Sequence, residues 1–386
     1  MLSQLSCLGY HFLIIQMSKI RKIPFIDLSL KKSDSNRTAK GISKLIENKN
    51  FIGGEEVLRF QDNFSKFNDS KYCLGVANGT DALEIAIESL NLPKNSEVIV
   101  PNFTFLSPAE AVVRAGFKLV LADINNEDFT ISIESIKKLT TKKTSALIVV
   151  HLFGNPCDMN EIKKFAKDKD IKIIEDCSQA HGAKFKGKNV GNFGDIGTFS
   201  FYPTKNLGAF GDAGAIVTNN RSLFEKAQKI ANHGRVDTYD HILAGRNSRL
   251  DTFQALVLNL KLKKLEENNE QRLQQADYLF ESIKGSCVDT MKLSRYQSSV
   301  FHQFPILCEE RDYLMKFLKK RGIACGIYYP KPLSKMKAFS KKVNKNQIHS
   351  INSELASKRI LSLPIGPHLN FKDSEYIANA IQSFKN

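Results

Sequence analysis

Six short apolar runs, alternating with helical patterns between residues 97 and 218, constrain the fold of this chain more than any other feature. They are Glu97-Val98-Ile99-Val100, Lys118-Leu119-Val120-Leu121, Ala146-Leu147-Ile148-Val149-Val150, Ile171-Lys172-Ile173-Ile174, Thr198-Phe199-Ser200-Phe201 and Ala215-Ile216-Val217-Thr218. Runs of this length and composition read as buried strands, and a strand buried on both faces needs cover on both. The pattern predicts an α/β fold, a mostly parallel sheet wrapped by helices. In such sheets functional residues gather just past the carboxyl ends of the strands.

One of those ends carries a carboxylate. Asp176 closes Ile173-Ile174-Glu175-Asp176, and Lys205 follows 29 residues later in Ser200-Phe201-Tyr202-Pro203-Thr204-Lys205-Asn206-Leu207-Gly208. A carboxylate at the end of an apolar strand is costly unless it is paired. A pyridinium nitrogen is one such partner, and an amine in a walled pocket can form a Schiff base. Singly, Asp176 reads as a helix cap and Lys205 as a surface lysine. Jointly, at strand ends of one sheet, they read as the core of a pyridoxal phosphate site, with Gln179 placed to bond the ring hydroxyl and His181 to support the loop.

Other segments fit the same reading. Val76-Ala77-Asn78-Gly79-Thr80-Asp81-Ala82-Leu83 leads from a short apolar run into a helix, where free amides, the close approach allowed by Gly79 and the Thr80 hydroxyl could cradle a phosphate. An ordinary helix start has the same composition. Phe105, after the strand that ends near Val100, could lie over a flat ring or fill the core. His151, after Val150, reads equally as a satisfied polar group or a catalytic one.

Composition excludes several classes. With 386 residues, 42% hydrophobic and 25% charged, the chain is long enough for one large or two modest domains. No stretch approaches the ~18 unbroken apolar residues of a membrane span. Seven cysteines, odd in number and without a Cys-x-x-Cys pair, argue against a disulfide framework or zinc site and for a cytoplasmic protein. The net charge of +16 is spread widely. Its denser clusters, Lys137-Lys138 with Lys142-Lys143 and Lys319-Lys320-Arg321, lie beside apolar residues and read as solvated helix faces, not a nucleic-acid patch. A positive surface still attracts an anionic substrate.

Residues 1–16 are expected to be an extension or tail before a second start at Met17, since Phe12-Leu13-Ile14-Ile15 has no basic start and no small-residue cleavage site. Residues 17–260 are assigned to a large domain and 261–386 to a linker helix and a small C-terminal domain. A long helix is expected from Asp251 to about Ile283, with a strand at Val300 to Leu307, a helix from Arg311 to Lys320, a strand at Ala324 to Tyr329, and helices on either side of Pro364-Ile365-Gly366-Pro367.

The chain resembles the DegT/DnrJ/StrS family of nucleotide-sugar aminotransferases. The motifs run from Ile23-Pro24-Phe25-Ile26-Asp27-Leu28 through Val150-His151-Leu152-Phe153-Gly154, Gly211-Asp212-Ala213-Gly214 and Asn247-Ser248-Arg249-Leu250-Asp251 to Leu361-Ser362-Leu363-Pro364. The resemblance implies the pyridoxal phosphate-dependent transferase fold type I, with a mostly parallel seven-stranded sheet between helices and a smaller α+β C-terminal domain. It implies Lys205 as the Schiff-base lysine, Asp176 on the pyridine nitrogen, Gln179 near the ring hydroxyl and Phe105 stacked on the ring. Gly79, Thr80 and Ser200 would hold the phosphate. Asn247 would reach the partner subunit's cofactor, making the active unit a homodimer with shared sites.

The implied reaction moves an amino group from an amino acid, expected to be L-glutamate, to a nucleotide-linked keto-sugar in amino-sugar or O-antigen biosynthesis. Lys205 separates the chain from a related dehydratase group that has histidine there, and the complete residue set argues against a non-catalytic regulatory homologue. Tyr328-Tyr329-Pro330 stands where the family often has His-Tyr-Pro. The run from Lys205 to Gly214 looks like the branch that aminates dTDP- or UDP-linked 3-keto-6-deoxyhexoses, which ranks C3 ahead of C4.

Overall fold

A computed structural model describes residues 21–343 and 350–384; the expected N-terminal extension, residues 1–16, lies outside the described residues. In chain order the first strands are β1 (Tyr72–Val76), β2 (Glu97–Pro101), β3 (Lys118–Ala122), β4 (Thr144–Val150), β5 (Lys172–Asp176), the short pair β6 (Lys184–Phe185) and β7 (Lys188–Asn189), β8 (Ile196–Ser200) and β9 (Gly214–Thr218). Seven of them form one sheet in the order β1-β9-β8-β5-β4-β2-β3. All pairings are parallel except those of β9, which runs against both β1 and β8. The six apolar runs all became strands within two residues of their expected ends.

Alternation along each strand sorts the side chains between two helical layers. Val98 and Val100, Ala146 and Ile148, and Ile174 pack with Leu83, Ala86 and Ile87 of helix Gly79–Ser89. From the same strands Ile99, Leu147, Val149 and Ile173 face the opposite layer with Met159 and Ile162 of helix Met159–Asp168. Toward the β1 edge that second layer continues with Phe60 and Phe64 of helix Glu55–Phe67. The carboxyl ends of β1, β4, β5 and β8 therefore open on one edge, free of helix cover.

The C-terminal part adds β10 (Asp289–Thr290), β11 (Gln297–Ser298), β12 (Phe304–Leu307) and β13 (Ile360–Leu363). β10, β12 and β13 make an antiparallel sheet, while β11 pairs with the β6-β7 hairpin. Leu279, Ile306, Leu314, Leu361 and Ile377 form its core, which runs without a break into Phe103, Val150 and Phe153 under the large sheet.

Three expectations needed correction. The helix expected from Asp251 to Ile283 is two helices, Thr252–Leu262 and Leu265–Ser282. No Gly or Pro marks the bend. Tertiary contacts impose it: Lys264 Nζ bonds Asp34 Oδ2 at 2.7 Å, and Leu265 is sealed beside Phe60 and Leu258. The strand expected at Val300 to Leu307 holds only from Phe304, because fully buried Phe301 sits at φ +40°, in the left-handed region that breaks a ladder. Ala324 to Tyr329 makes a single bridge, Gly326 to Ser362, before Tyr328 and Tyr329 turn to the cavity described below. The hairpin at Lys184–Asn189 and strand β13 had no expectation in the sequence.

Candidate active site

The open sheet edge and the C-terminal part enclose a cavity of about 1410 Å³, larger than the ~300–1,000 Å³ typical of a single small-ligand site. Seven of the eight residues nominated from sequence line it: Gly79, Thr80, Phe105, Asp176, Gln179, Ser200 and Lys205. Asn247 does not; it is exposed, bridged to Asn232.

The cradle is built by close approach. Asn78 caps helix Gly79–Ser89 by accepting the Asp81 N–H at 2.8 Å, which leaves the first-turn amides of Gly79 and Thr80 to point outward. A Cβ on Gly79 would lie 2.6 Å from Ser200 Cβ, so only glycine lets β8 come this near. Thr80 Oγ1 and Ser107 Oγ lie 2.8 Å apart and add hydroxyls at the same rim. Free amides, a helix N-terminus and three hydroxyls fit a phosphate.

Asp176 is buried at the end of β5, and Oδ1 accepts the Ser178 N–H at 3.0 Å. Burial raises its pKa, against the pull of the Ser178 hydrogen bonds and the Lys205 charge. Lys205 shows the mirror image: burial pushes its amine down to about 8, with Asp176 pulling it back up. Among the described residues the two make no ion pair with each other. Each carries a charge-dependent cost that a pyridinium nitrogen and a Schiff base would relieve.

Gln179 is held at both ends. Its Oε1 accepts the Phe153 N–H at 2.7 Å, and its Nε2 donates to Tyr329 Oη at 3.1 Å, which leaves one amide hydrogen for a ligand. Phe105, half exposed, lies 6.2 Å from the Tyr329 ring. His181 donates from Nε2 to the Ser200 carbonyl at 2.9 Å, and burial pushes its pKa down to about 3, so it is a neutral support for the cradle. His151 is a satisfied core group. Its Nδ1 accepts the Cys157 N–H at 3.0 Å, so Nε2 carries the proton and donates to Glu175 at 3.0 Å. With Cys177 these residues could be grouped as metal ligands, but hydrogen bonds already use them.

Sequence reasoning missed the far wall. Tyr329, His302 and Arg272 line the cavity from the C-terminal part, and Phe25 to Lys31 from the N-terminal strand of chain. Phe25 stacks on Tyr328 with ring centroids 5.7 Å apart. The one available signal was the Tyr328-Tyr329-Pro330 departure, which marked that loop without assigning its contacts.

A buried lysine and a buried carboxylate share the cavity at the carboxyl edge of this sheet, an arrangement that suits a pyridoxal phosphate enzyme of fold type I. Residues 32–382 match the model of the DegT/DnrJ/EryC1/StrS aminotransferase family, and the chain belongs to that family. It is 37% identical to the UDP-N-acetyl-3-dehydro-alpha-D-glucosamine 3-aminotransferase of Acidithiobacillus ferrooxidans, over 95% of this chain and 99% of the relative. It is 36% identical to the dTDP-3-amino-3,6-dideoxy-alpha-D-galactopyranose transaminase of Aneurinibacillus thermoaerophilus, over 94% and 99%. Among solved structures, S. venezuelae DesV in complex with a ketimine intermediate superposes with a TM-score of 0.91 at 32% identity, covering 95% of this chain and 100% of that one. The chain is thus an aminotransferase, and pyridoxal phosphate is its cofactor. Among the described residues no helix is long and apolar enough to cross a membrane.

Proposed function

We propose that the enzyme transfers an amino group from L-glutamate to C3 of a nucleotide-linked 3-keto-6-deoxyhexose, dTDP- or UDP-linked, in amino-sugar biosynthesis. The observation that carries it is the unpaired facing of Lys205 and Asp176 across one cavity. Both relatives above are named for amination at the 3-position, which supports C3 over C4. The cysteines, none of them paired with another among the described residues, agree with a cytoplasmic enzyme.

The residues divide the work. Gly79, Thr80 and Ser200 would hold the phosphate, Asp176 the ring nitrogen, Gln179 the ring hydroxyl, and Phe105 would cover the ring face. The bound cofactor supplies an electron-withdrawing ring that stores the amino group between two half-reactions. Lys205, its amine depressed toward neutral pH, accepts a proton from the donor carbon and returns it one position away, as base and then acid. Asp176, as a carboxylate, would pair with the ring nitrogen and favour its protonated form. Asn247 would complete the partner subunit's site in a homodimer.

The test is to compare the purified wild type with Lys205→Ala for cofactor absorbance and for amino transfer from glutamate to a panel of nucleotide 3-keto and 4-keto sugars. Wild type should carry the band of a lysine-bound cofactor and turn over 3-keto sugars; the variant should lose both. A wild type with neither cofactor nor turnover overturns the proposal.

A further inference from the structure

Among the described residues Arg272 is a cation without an anion. It lies on helix Leu265–Ser282 with its head in the cavity wall, where Nη1 donates to the carbonyls of Phe301 at 3.2 Å and Ile365 at 2.9 Å. Both partners are neutral. Among the described residues no carboxylate pairs with it, and burial alone pushes its pKa down to about 10, with no acidic group pulling the other way. A guanidinium held this way has satisfied one nitrogen and left the Nε–Nη2 edge, the edge that grips a carboxylate side-on with two parallel hydrogen bonds. Neither atom of that edge is sealed within protein.

The surroundings keep that edge open. Gln275, one turn further on, accepts the Gly366 N–H at 2.9 Å and donates to the Gly366 and Leu369 carbonyls at 3.0 and 3.1 Å, fixing the Pro364-Ile365-Gly366-Pro367 turn against the helix. A Cβ on Gly366 would lie 3.2 Å from Arg272 Nη2, so glycine there leaves the edge clear. The charges of Arg272 and Lys205 both bear on His302, and all three line the same cavity. His302 donates from Nδ1 to Asn206 Oδ1 at 3.1 Å, because Asn206 Nδ2 is already committed to Asn269 and Val300. Its Nε2 is then an acceptor, and burial with the neighbouring positive charges holds its pKa well below the ordinary value, so it brings no positive charge of its own.

A free guanidinium edge lining the same cavity as the reacting lysine is suited to a substrate oxyanion. Two substrates carry one, the amino acid as a carboxylate and the sugar nucleotide as a phosphate. The geometry points to Arg272 as the receptor for the carboxylate of the amino donor, a specificity residue that orients the donor amine toward Lys205. The two-point edge would grip a carboxylate or a phosphate, and the placement near His302 and Lys205 decides between them, because it is where the donor, not the nucleotide, must react. This inference rests on the aminotransferase reading above.

The test measures wild type and Arg272→Lys with glutamate and with its α-amide as donors, at saturating keto-sugar. Arg272→Lys keeps a cation but loses the fork. Wild type should prefer glutamate strongly, and the ratio of kcat/KM for glutamate over its α-amide should fall at least tenfold in the variant, with the KM for the sugar nucleotide unchanged. That ratio is taken within one protein, so partial misfolding does not move it. Calorimetric titration with glutarate, a dicarboxylate that cannot react, should show binding to wild type weakened at least tenfold in the variant. An unchanged ratio overturns the inference, as does a loss confined to the sugar-nucleotide KM, which would reassign the edge to a phosphate. A wild type that accepts no amino acid at all overturns the aminotransferase reading instead.

Discussion

Glu175 and Asp176 are neighbours on β5 with opposite surroundings. Glu175 accepts from His151 and from the backbone amides of Gly191, Phe193 and Gly194 at 2.6 to 3.0 Å, whereas Asp176 accepts from Ser178 and faces the cavity. Burial raises the pKa of both. For Glu175 the His151 and amide bonds outweigh burial and hold it below the ordinary carboxylate value; for Asp176 burial wins. Glu175 thus adds stability that is present at neutral pH and lost as pH falls through its depressed folded value. Asp176 has the opposite sign, a cost to the cofactor-free fold that grows as pH rises above 3.8. We expect Glu175→Gln to destabilise the cofactor-free protein by about 3–5 kcal/mol, because it turns an amide NH₂ onto backbone donors. Asp176→Asn should melt at the same temperature or higher while losing amino transfer. Thermal denaturation of both variants checks the pair, and equal melting losses would refute the division of roles.

The same charges set a pH dependence at Lys205. Its amine is pushed down to about 8 by burial, and Asp176 is the group that keeps it from falling further. In the cofactor-free protein, the rate of Lys205 modification by an amine-selective reagent should rise through a midpoint near pH 8, not near the ordinary 10.5. Removing the carboxylate in Asp176→Asn should move that midpoint down by roughly half a unit or more. A midpoint that stays put or moves up would show that the two residues are not electrostatically coupled. Linkage adds a second readout: a lysine with a depressed folded pKa costs stability below pH 8, and that cost fades toward pH 10.5. Stability relative to Lys205→Met should therefore improve over that interval.

Much of this site was legible because its parts are local. The large-sheet strands could be read from their apolar runs, and strand ends are where alternation leaves a side chain with no helix above it, which singled out Asp176 and, one loop later, Lys205. Alternation also explains why Glu175, one residue earlier, belongs to the opposite face with Ile173. Arg272 was hidden for the converse reason. In Glu266-Glu267-Asn268-Asn269-Glu270-Gln271-Arg272 it reads as one more charge on a solvated helix, and only packing of the Pro364–Pro367 turn against that helix turns it inward. Tyr329 and His302 likewise reach the cavity through contacts between segments far apart in sequence. The bend at Lys263-Lys264 had no breaker residue to announce it, since the buried Leu265 and the Asp34 bond impose it from outside the helix.

Gly79 gives a steric prediction. Its missing side chain lets Ser200 approach, and a Cβ there would fall 2.6 Å from Ser200 Cβ and 3.1 Å from its Cα. Backbone cannot move aside as a flexible side chain can, so Gly79→Ala should force β8 and helix Gly79–Ser89 apart. The expected cost is about 1–3 kcal/mol, as for other overpacked sites. The variant should also lose cofactor on dialysis under conditions where wild type retains it, because the displaced amides are those of the cradle. Retention equal to wild type, with a lowered melting temperature, would leave the glycine a packing residue and remove it from the phosphate site.

Asn247 carries the prediction about the assembly. It is exposed, yet its neighbours are anchored tightly: Arg246 bonds Glu84 and Glu88 on helix Gly79–Ser89, and Ser248 Oγ accepts the Ala77 N–H at 3.2 Å, beside the cradle. An anchored segment that presents a polar residue outward suits a contact made in another subunit. If Asn247 serves the partner subunit's site, Lys205→Ala and Asn247→Ala are each inactive alone but complementary when mixed. A hybrid dimer has one site with an intact lysine from one chain and an intact asparagine from the other, while its second site carries both defects. Random exchange gives half hybrids with one working site in two, so the mixture should recover about a quarter of wild-type activity. Subunit exchange is verified by native mass spectrometry. Activity no greater than that of the two variants assayed apart, with hybrids present, would place Asn247 outside the shared site.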